Sequence, residues 1–460
     1  MEQNKHDELE LMMLGRTKMA LFTCGAMLAL AALPVMAQQP MDLKQVLEQA
    51  LKHNTDVRNA ALDQEAARNK VGETRADGLP QISAQGDLKF NPSIATQMLP
   101  GEILGRPGEQ VPVQFGTKYI ASVSGQVTQK LYDHRFLTGL QAAKQSEELY
   151  ALLHLQTGEQ VLYEVAGTYY KILDLKAQEA SVDSQLSTMA ELERITKLQV
   201  GNQYKLKLDL QRVQVNRQNA ITRRDGFTLQ AEQQLNYLKV LMGMPVATDV
   251  RLVQPTDLGI VAPTPGSTAL YEQRTDIKVL NQQIALQDLN IRATRAGYAP
   301  TLSAFGNLGW QAQSNAFDMY GSDGTWLKNA AIGATLAIPL FDGGRKHHQI
   351  AQQKVVRLQY QADLVHAENA LAMEERNAIA ALDNSWRTVE AQAGNLVLAE
   401  EVYGQTNSLY TEGIAPLTDL LDADQALSDS RTTYHSATLN YKLAELDLLK
   451  AQGKLNTLVQ

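Results

Sequence analysis

Apolar and polar residues alternate with period two in four short stretches of the 460-residue chain and follow helical periods over most of the rest. In Ile82–Phe90, Ile82, Ala84, Gly86, Leu88 and Phe90 alternate with Ser83, Gln85, Asp87 and Lys89. Tyr119–Thr128, Leu302–Trp310 and Ala330–Leu340 behave alike, the last placing Ile332, Ala334, Leu336, Ile338 and Leu340 on one side. This pattern predicts strands of a sheet with one wet face. Phe90, Tyr119, Trp310 and Trp326 fall near the strand ends, where membrane strands carry interfacial aromatics. A half-buried sheet in a soluble domain gives the same alternation.

Between the strands the pattern is helical and unusually long. No proline occurs between Pro112 and Pro245, between Pro339 and Pro416, or after Pro416. A helix from Asp133 to Val200 would be roughly 100 Å long at ~1.5 Å per residue, so it needs partners along its whole length. The heptads supply the seam. Leu420, Leu427, Tyr434, Tyr441 and Leu448 form one track, with Ala423, Ser430, Ala437, Ala444 and Ala451 three residues later. Leu382, Val389, Leu396 and Tyr403 form a similar one. Large residues beside small ones predict coiled-coil packing.

The chain is written twice. At a shift of 220, Thr55–Leu88 lies on Thr275–Leu308 without a gap and with ten identities, among them Thr74/Thr294, Arg75/Arg295, Ala76/Ala296 and Pro80/Pro300. Each half reads helix, strand, loop, strand, very long helix, turn, long helix. Gly243–Ser267 holds four of the fourteen prolines and marks the boundary. The expected organisation is a first repeat over 38–243, a linker over 244–267 and a second repeat over 268–460.

In each half a strand runs directly into a long helix, at Leu131-Tyr132-Asp133 and at Leu340-Phe341-Asp342. Asp133 and Asp342 are placed to cap the orphan N–H groups of the following helix. Gly343 and Gly344 allow the backbone angles that turn the chain. Four strands cannot close a barrel, because the smallest outer-membrane barrels use about 8. Strands of this kind would share a barrel between copies; two or three copies fit equally well. The loops Asn91–Lys118 and Gln311–Asn329 are expected to face the cell exterior.

Composition and charge narrow the class. Aromatics are 6% against 44% apolar residues, a balance of helical bundles rather than a thick globular core. The net charge of −8 argues against nucleic acid as a partner. Arg16 and Lys18 precede an apolar run with small residues Val35 and Ala37 at its end, which predicts an export signal over 1–37. The single cysteine, Cys24, lies inside it, so the mature chain would have neither disulfides nor thiolate sites.

Catalytic chemistry is missing: the chain has no HExxH, GxSxG, P-loop or CxxC motif, and neither an enzyme nor a cofactor is expected. His347 and His348 are adjacent and so point to different sides of a helix, which suits solvation better than metal binding. The remaining constellation is Asp419 and Asp422, following Gly413 and Pro416. Their spacing puts both carboxylates on one helix side. Acids in a first turn also favour the helix dipole, and the sequence leaves both readings open.

Three stretches in order carry a family resemblance: "DLKQVLEQALKHNTDVRNAALDQEAARNKVGETRADGLPQIS", "PLFDGGR" and "YTEGIAPLTDLLDADQAL". Together they resemble the TolC-like outer-membrane efflux proteins over nearly all of the mature chain. The resemblance implies a homotrimer whose four strands per chain build a shared transmembrane β-barrel, above a periplasmic α-barrel of coiled-coil helices. It implies an exit duct in outer-membrane lipid, served by a periplasmic adaptor protein and an inner-membrane transporter. Within it, Asp419 and Asp422 would line the narrow periplasmic entrance, and Tyr410 would help to hold it shut. The family pattern carries an arginine where this chain has Ala415. Asp209 and Arg212 of the first repeat stand opposite Asp419 and Asp422, so Arg212 is the candidate substitute gate partner. Rival readings are an outer-membrane component of type I protein secretion and a soluble periplasmic coiled-coil scaffold.

Overall fold

The computed structural model of the chain describes residues 40–105, 107–255, 259–263, 274–318 and 325–459. The expected signal segment 1–37 lies outside them. The first half runs α1 (Leu43–His53), α2 (Thr55–Ala76), β1 (Gln81–Phe90), β2 (Thr96–Pro100), β3 (Gln110–Gln114), β4 (Tyr119–Tyr132), α3 (His134–Gly201) and α4 (Lys207–Leu241). The second half runs α5 (Thr275–Ala296), β5 (Thr301–Ser314), β6 (Trp326–Ala337), α6 (Arg345–Thr411) and α7 (Leu417–Ala451). Corresponding helices match in length: 22 residues in α2 and α5, 68 and 67 in α3 and α6, and 35 each in α4 and α7.

The main sheet has the order β1-β4-β5-β6, antiparallel throughout. Its register carries the sequence alternation across all four strands. Ile82, Val127, Gly306 and Ile332 form one row, and Leu88, Ala121, Ala312 and Trp326 another on the same face. Ser83, Gln126, Asn307 and Ala331 form a row on the opposite face. No helix packs across either face among the described residues. Ile82 on β1 is 79% exposed and Ile332 on β6 is 93% exposed. Both outer strands keep an unpaired edge, an arrangement that invites pairing with another chain.

Several details differ from the expected elements: β4 runs on to Tyr132, and β5 reaches Ser314 while β6 begins at Trp326, so both ends of the expected loop Gln311–Asn329 are strand. The last strand ends at Ala337, paired with Thr301, rather than at Leu340. The ladder stops there because the next partner is Pro300, which has no N–H to give, and Pro339 lies just ahead. The opening helix is two helices: Asn54 breaks it, accepting from the N–H groups of Asp56 and Val57 and donating its side-chain amide to Leu241 O. The first loop contains the β2–β3 hairpin, which pairs Met98 with Pro112.

The long helices pack as the heptads require. Leu382 and Val389 of α6 bury against Ala437, Tyr441 and Ala444 of α7, with Trp386, Tyr434 and Leu448 partly covered. A larger core gathers α1, the middle of α3 and the end of α4, with Leu47, Leu162 and Leu238 fully buried.

Both strand-to-helix joints are capped by their aspartate, in different ways. Asp133 accepts from the N–H groups of Arg135 and Phe136 at 2.9 and 3.1 Å. Asp342 reaches past two left-handed glycines, Gly343 at φ 68° and Gly344 at φ 83°. It accepts from the N–H groups of Gly344 and Lys346 and pairs with the Lys346 ammonium at 3.1 Å. Lys346 in turn lies over the Tyr298 ring at 4.9 Å, tying α6 to the end of α5.

Candidate functional site at the helical tips

The tips far from the sheet are built by one turn motif used twice. After α6, the Gly413 N–H donates to Tyr410 O and the Ile414 N–H to Leu409 O, at 3.0 and 2.9 Å. After α3, the Gln203 N–H donates to Val200 O and the Tyr204 N–H to Gln199 O, at 3.1 and 2.8 Å. Both are Schellman turns, which satisfy carbonyls at the helix end and require a left-handed residue. Gly413 fills that position at φ 80°, and Gln203 fills it at φ 60°. A residue with a Cβ there costs about 1–2 kcal/mol. Gln203→Gly is therefore expected to stabilise the protein by up to about 1 kcal/mol after the entropy cost of glycine, read as a raised melting temperature. A lowered melting temperature would show that the Gln203 side chain makes a compensating contact.

Between the turns lies a small core. Tyr410, Leu417, Leu420 and Leu421 pack with Val213 of α4, and Tyr403 and Ala415 adjoin them. The Tyr410 ring is buried, with the Lys205 ammonium from the first-repeat turn 5.1 Å from its centroid. Its hydroxyl is buried without a hydrogen-bond partner among the described residues. Tyr410 thus joins the two turns within one chain.

Asp419 and Asp422 are both exposed, on the side of α7 turned away from this core. No basic side chain pairs with either among the described residues. Only Asp419 lies in the first turn of α7, and no side chain caps that helix. The dipole reading therefore reaches Asp419 and leaves Asp422 unexplained. Asp209 and Arg212 turn to each other along α4 at 3.9 Å. Within the chain, Arg212 is not brought to the acids of the second repeat.

A third acid, Asp424, behaves differently. At about 100° per residue it lies roughly 200° around α7 from Asp422, and it is buried. Gln185 of α3 donates its amide to Asp424 at 2.5 Å. Ser428 donates to Gln185 Oε1 at 3.3 Å, and Arg223 of α4 donates to Ser428 at 2.7 Å. Arg431, paired with Glu400 of α6 at 3.1 Å, closes the layer. Burial pushes the Asp424 carboxyl above its ordinary range, opposed by the Gln185 hydrogen bond and by the charges of Arg431 and Arg223. Sequence reasoning missed this layer. Its available signal was the run Asp424, Ser428 and Arg431, which share one face of α7. Among the described residues no group of His, Cys, Asp and Glu could hold a metal ion.

Residues 267–454 match the family model described as Outer membrane efflux protein. The Escherichia coli outer membrane protein TolC is 21% identical over 436 residues, 91% of this chain and 83% of TolC. The toluene efflux pump outer membrane protein TtgF of Pseudomonas putida is 23% identical over 417 residues, 89% of this chain and 83% of its own. Among solved structures, the Campylobacter jejuni CmeC outer membrane channel superposes with a TM-score of 0.72 at 20% identity, covering 90% of this chain and 85% of CmeC. The open state of the Neisseria gonorrhoeae MtrE outer membrane channel gives 0.68 at 20% identity, covering 89% and 88%. The resemblance carried by the three sequence stretches holds, and the fold is that of the TolC-like channels.

Proposed function

We propose that this chain, with its TolC-like fold and its matched outer membrane efflux protein segment, is the exit duct of a tripartite efflux system. It resides in the outer membrane and extends into the periplasm, where an adaptor protein and an inner-membrane transporter hand it their cargo. The observation that carries the reading is the four-stranded sheet: one mainly apolar face shared by all four strands and interrupted by Lys328 near the end of β6, two open edges, and helices of 67 and 68 residues below. No helix among the described residues is long and apolar enough to cross a membrane, and the sheet supplies the apolar face that can.

Three copies joined at β1 and β6 give a twelve-stranded barrel and close every edge. Each copy contributes two repeats, 38–243 and 268–460, on either side of the segment 244–267. Asp419 and Asp422 then face the lumen at the tip, while the Tyr410 core holds each hairpin pair together. The loops between paired strands face outside the cell. Transport through such a duct needs no covalent chemistry.

Mass measurement of the protein extracted from outer membranes into detergent is expected to give a trimer. Planar-bilayer recording of the same material is expected to show conducting channels. A folded monomer that stays in the aqueous phase would overturn the proposal.

A further inference from the structure

The joint between sheet and helices holds a basic cavity that the duct function does not use. It measures about 500 Å³ and lies between the starts of α3 and α6 and the end of α5. Arg135, Arg345, Lys346, Gln349, Gln352 and Gln353 line it, and no carboxylate does. The joint aspartates beside it are already engaged. Asp133 caps α3 through backbone N–H groups, and Asp342 holds Lys346. No described residue hydrogen-bonds or ion-pairs with the guanidinium of Arg135 or Arg345.

Local helix stability does not account for these cations. Positive side chains in a first turn oppose the helix dipole, yet the first turns of α3 and α6 contain no acidic residue. Arg135 and Arg345, both exposed, line one cavity to which the described residues bring no carboxylate, a setting that suits an outside anion.

The surroundings identify its source. Leu131 and Tyr132 at the end of β4, and Leu340 and Phe341 before α6, are exposed, the last two by 92% and 90%. Apolar side chains beside cations form the boundary seen where a membrane protein leaves the hydrocarbon for the headgroup layer. Strand length agrees. The main strands have 10 to 14 residues against the ~9–11 that cross a bilayer when tilted, so their ends emerge among the headgroups.

We infer that the cavity binds the phosphate of an anionic phospholipid from the periplasmic leaflet of the outer membrane, with Arg135 and Arg345 as its ligands. The inference rests on the outer-membrane reading above. Bound lipid at this joint would fix the level of the barrel in the membrane and brace the turn from β6 into α6.

Native mass spectrometry of the detergent-extracted full chain tests it, with phosphatidylglycerol, phosphatidylcholine or inorganic phosphate added. Wild type is expected to retain phosphatidylglycerol over phosphatidylcholine. Arg135→Gln with Arg345→Gln should lower that retention about thirtyfold, two cations at ~1 kcal/mol each. Each single change should lower it about fivefold, which keeps the test intact should the double variant fail to assemble. Equal retention by wild type and both single variants would overturn the site. Displacement of the lipid by millimolar inorganic phosphate would overturn the lipid as its source. Failure of the duct reading shows separately, as absence of a membrane-extracted oligomer in the wild type.

Discussion

Changing Asp419 and Asp422 together to alanine is expected to relieve block by multivalent cations added from the periplasmic side and to lower cation preference. In the proposed trimer the two positions place six carboxylates at one narrow level, where mutual repulsion makes a bound cation favourable. Block should weaken about tenfold or more, which requires only ~1.4 kcal/mol of ion binding. Assembly should be unaffected, because Leu417, Leu420 and Leu421 carry the packing of this segment and remain in place. If the acids served only the helix dipole, the change would cost about 0.3–1 kcal/mol per charge and leave block as it was. Single-channel recording at graded trivalent-ion concentrations separates the outcomes, and undiminished block in the double variant would refute the pore assignment.

The second large effect is expected at the buried layer. Gln185→Leu removes the 2.5 Å donor to Asp424 and leaves a buried carboxylate short of a hydrogen bond, a change worth about 1–3 kcal/mol. Gln185→Leu combined with Asp424→Leu removes the charge as well and should recover most of the loss. The loss in the single variant should depend on pH. Burial raises the folded-state pKa of Asp424 above its ordinary value, so the folded protein binds the proton more tightly than the unfolded chain. The cost of the ionised group is absent below the unfolded value and sets in as pH rises through the folded value. Gln185→Leu should therefore melt nearest to wild type in acid and furthest from it at alkaline pH. Parallel melting curves for the two proteins across that range would mean that Asp424 does not carry the effect.

Much of the architecture was legible because long-range packing repeats its demand along the sequence. A sheet that is apolar on one face needs alternation in every strand, and Ile82, Val127 and Ile332 show it before their register is known. The α6–α7 seam is equally plain, since Leu382 and Val389 on one helix and Tyr434 and Tyr441 on the other recur at heptad spacing. Features set by a single residue were harder to read. Asn54 ends one helix and caps the next through hydrogen bonds that no periodicity announces. The β2–β3 hairpin carries Pro100 and Pro112, which argue against strands unless their edge position is known.

At the tip, residue type and spacing found the exposed acids but not the buried one. Asp419, Asp422 and Asp424 look like one acidic cluster in sequence. Only the angle around α7, together with the arrival of Gln185 from the other repeat, separates two solvent-facing charges from one structural group. Arg212 shows the converse. Alignment of the two repeats sets it opposite Asp422, whereas its nearest carboxylate is Asp209, one turn back on its own helix.

The equal lengths of the paired helices and the twin Schellman turns reach beyond folding. Three chains would present six hairpin ends at one height, so a docking ring would meet a surface whose shape repeats every 60°. The charges repeat only every 120°, because Asp209 is paired with Arg212 in the first repeat while Asp419 and Asp422 stand free in the second. In the proposed trimer, a partner reading backbone shape would therefore grip six equivalent sites, while an ion crossing the centre would meet a threefold field.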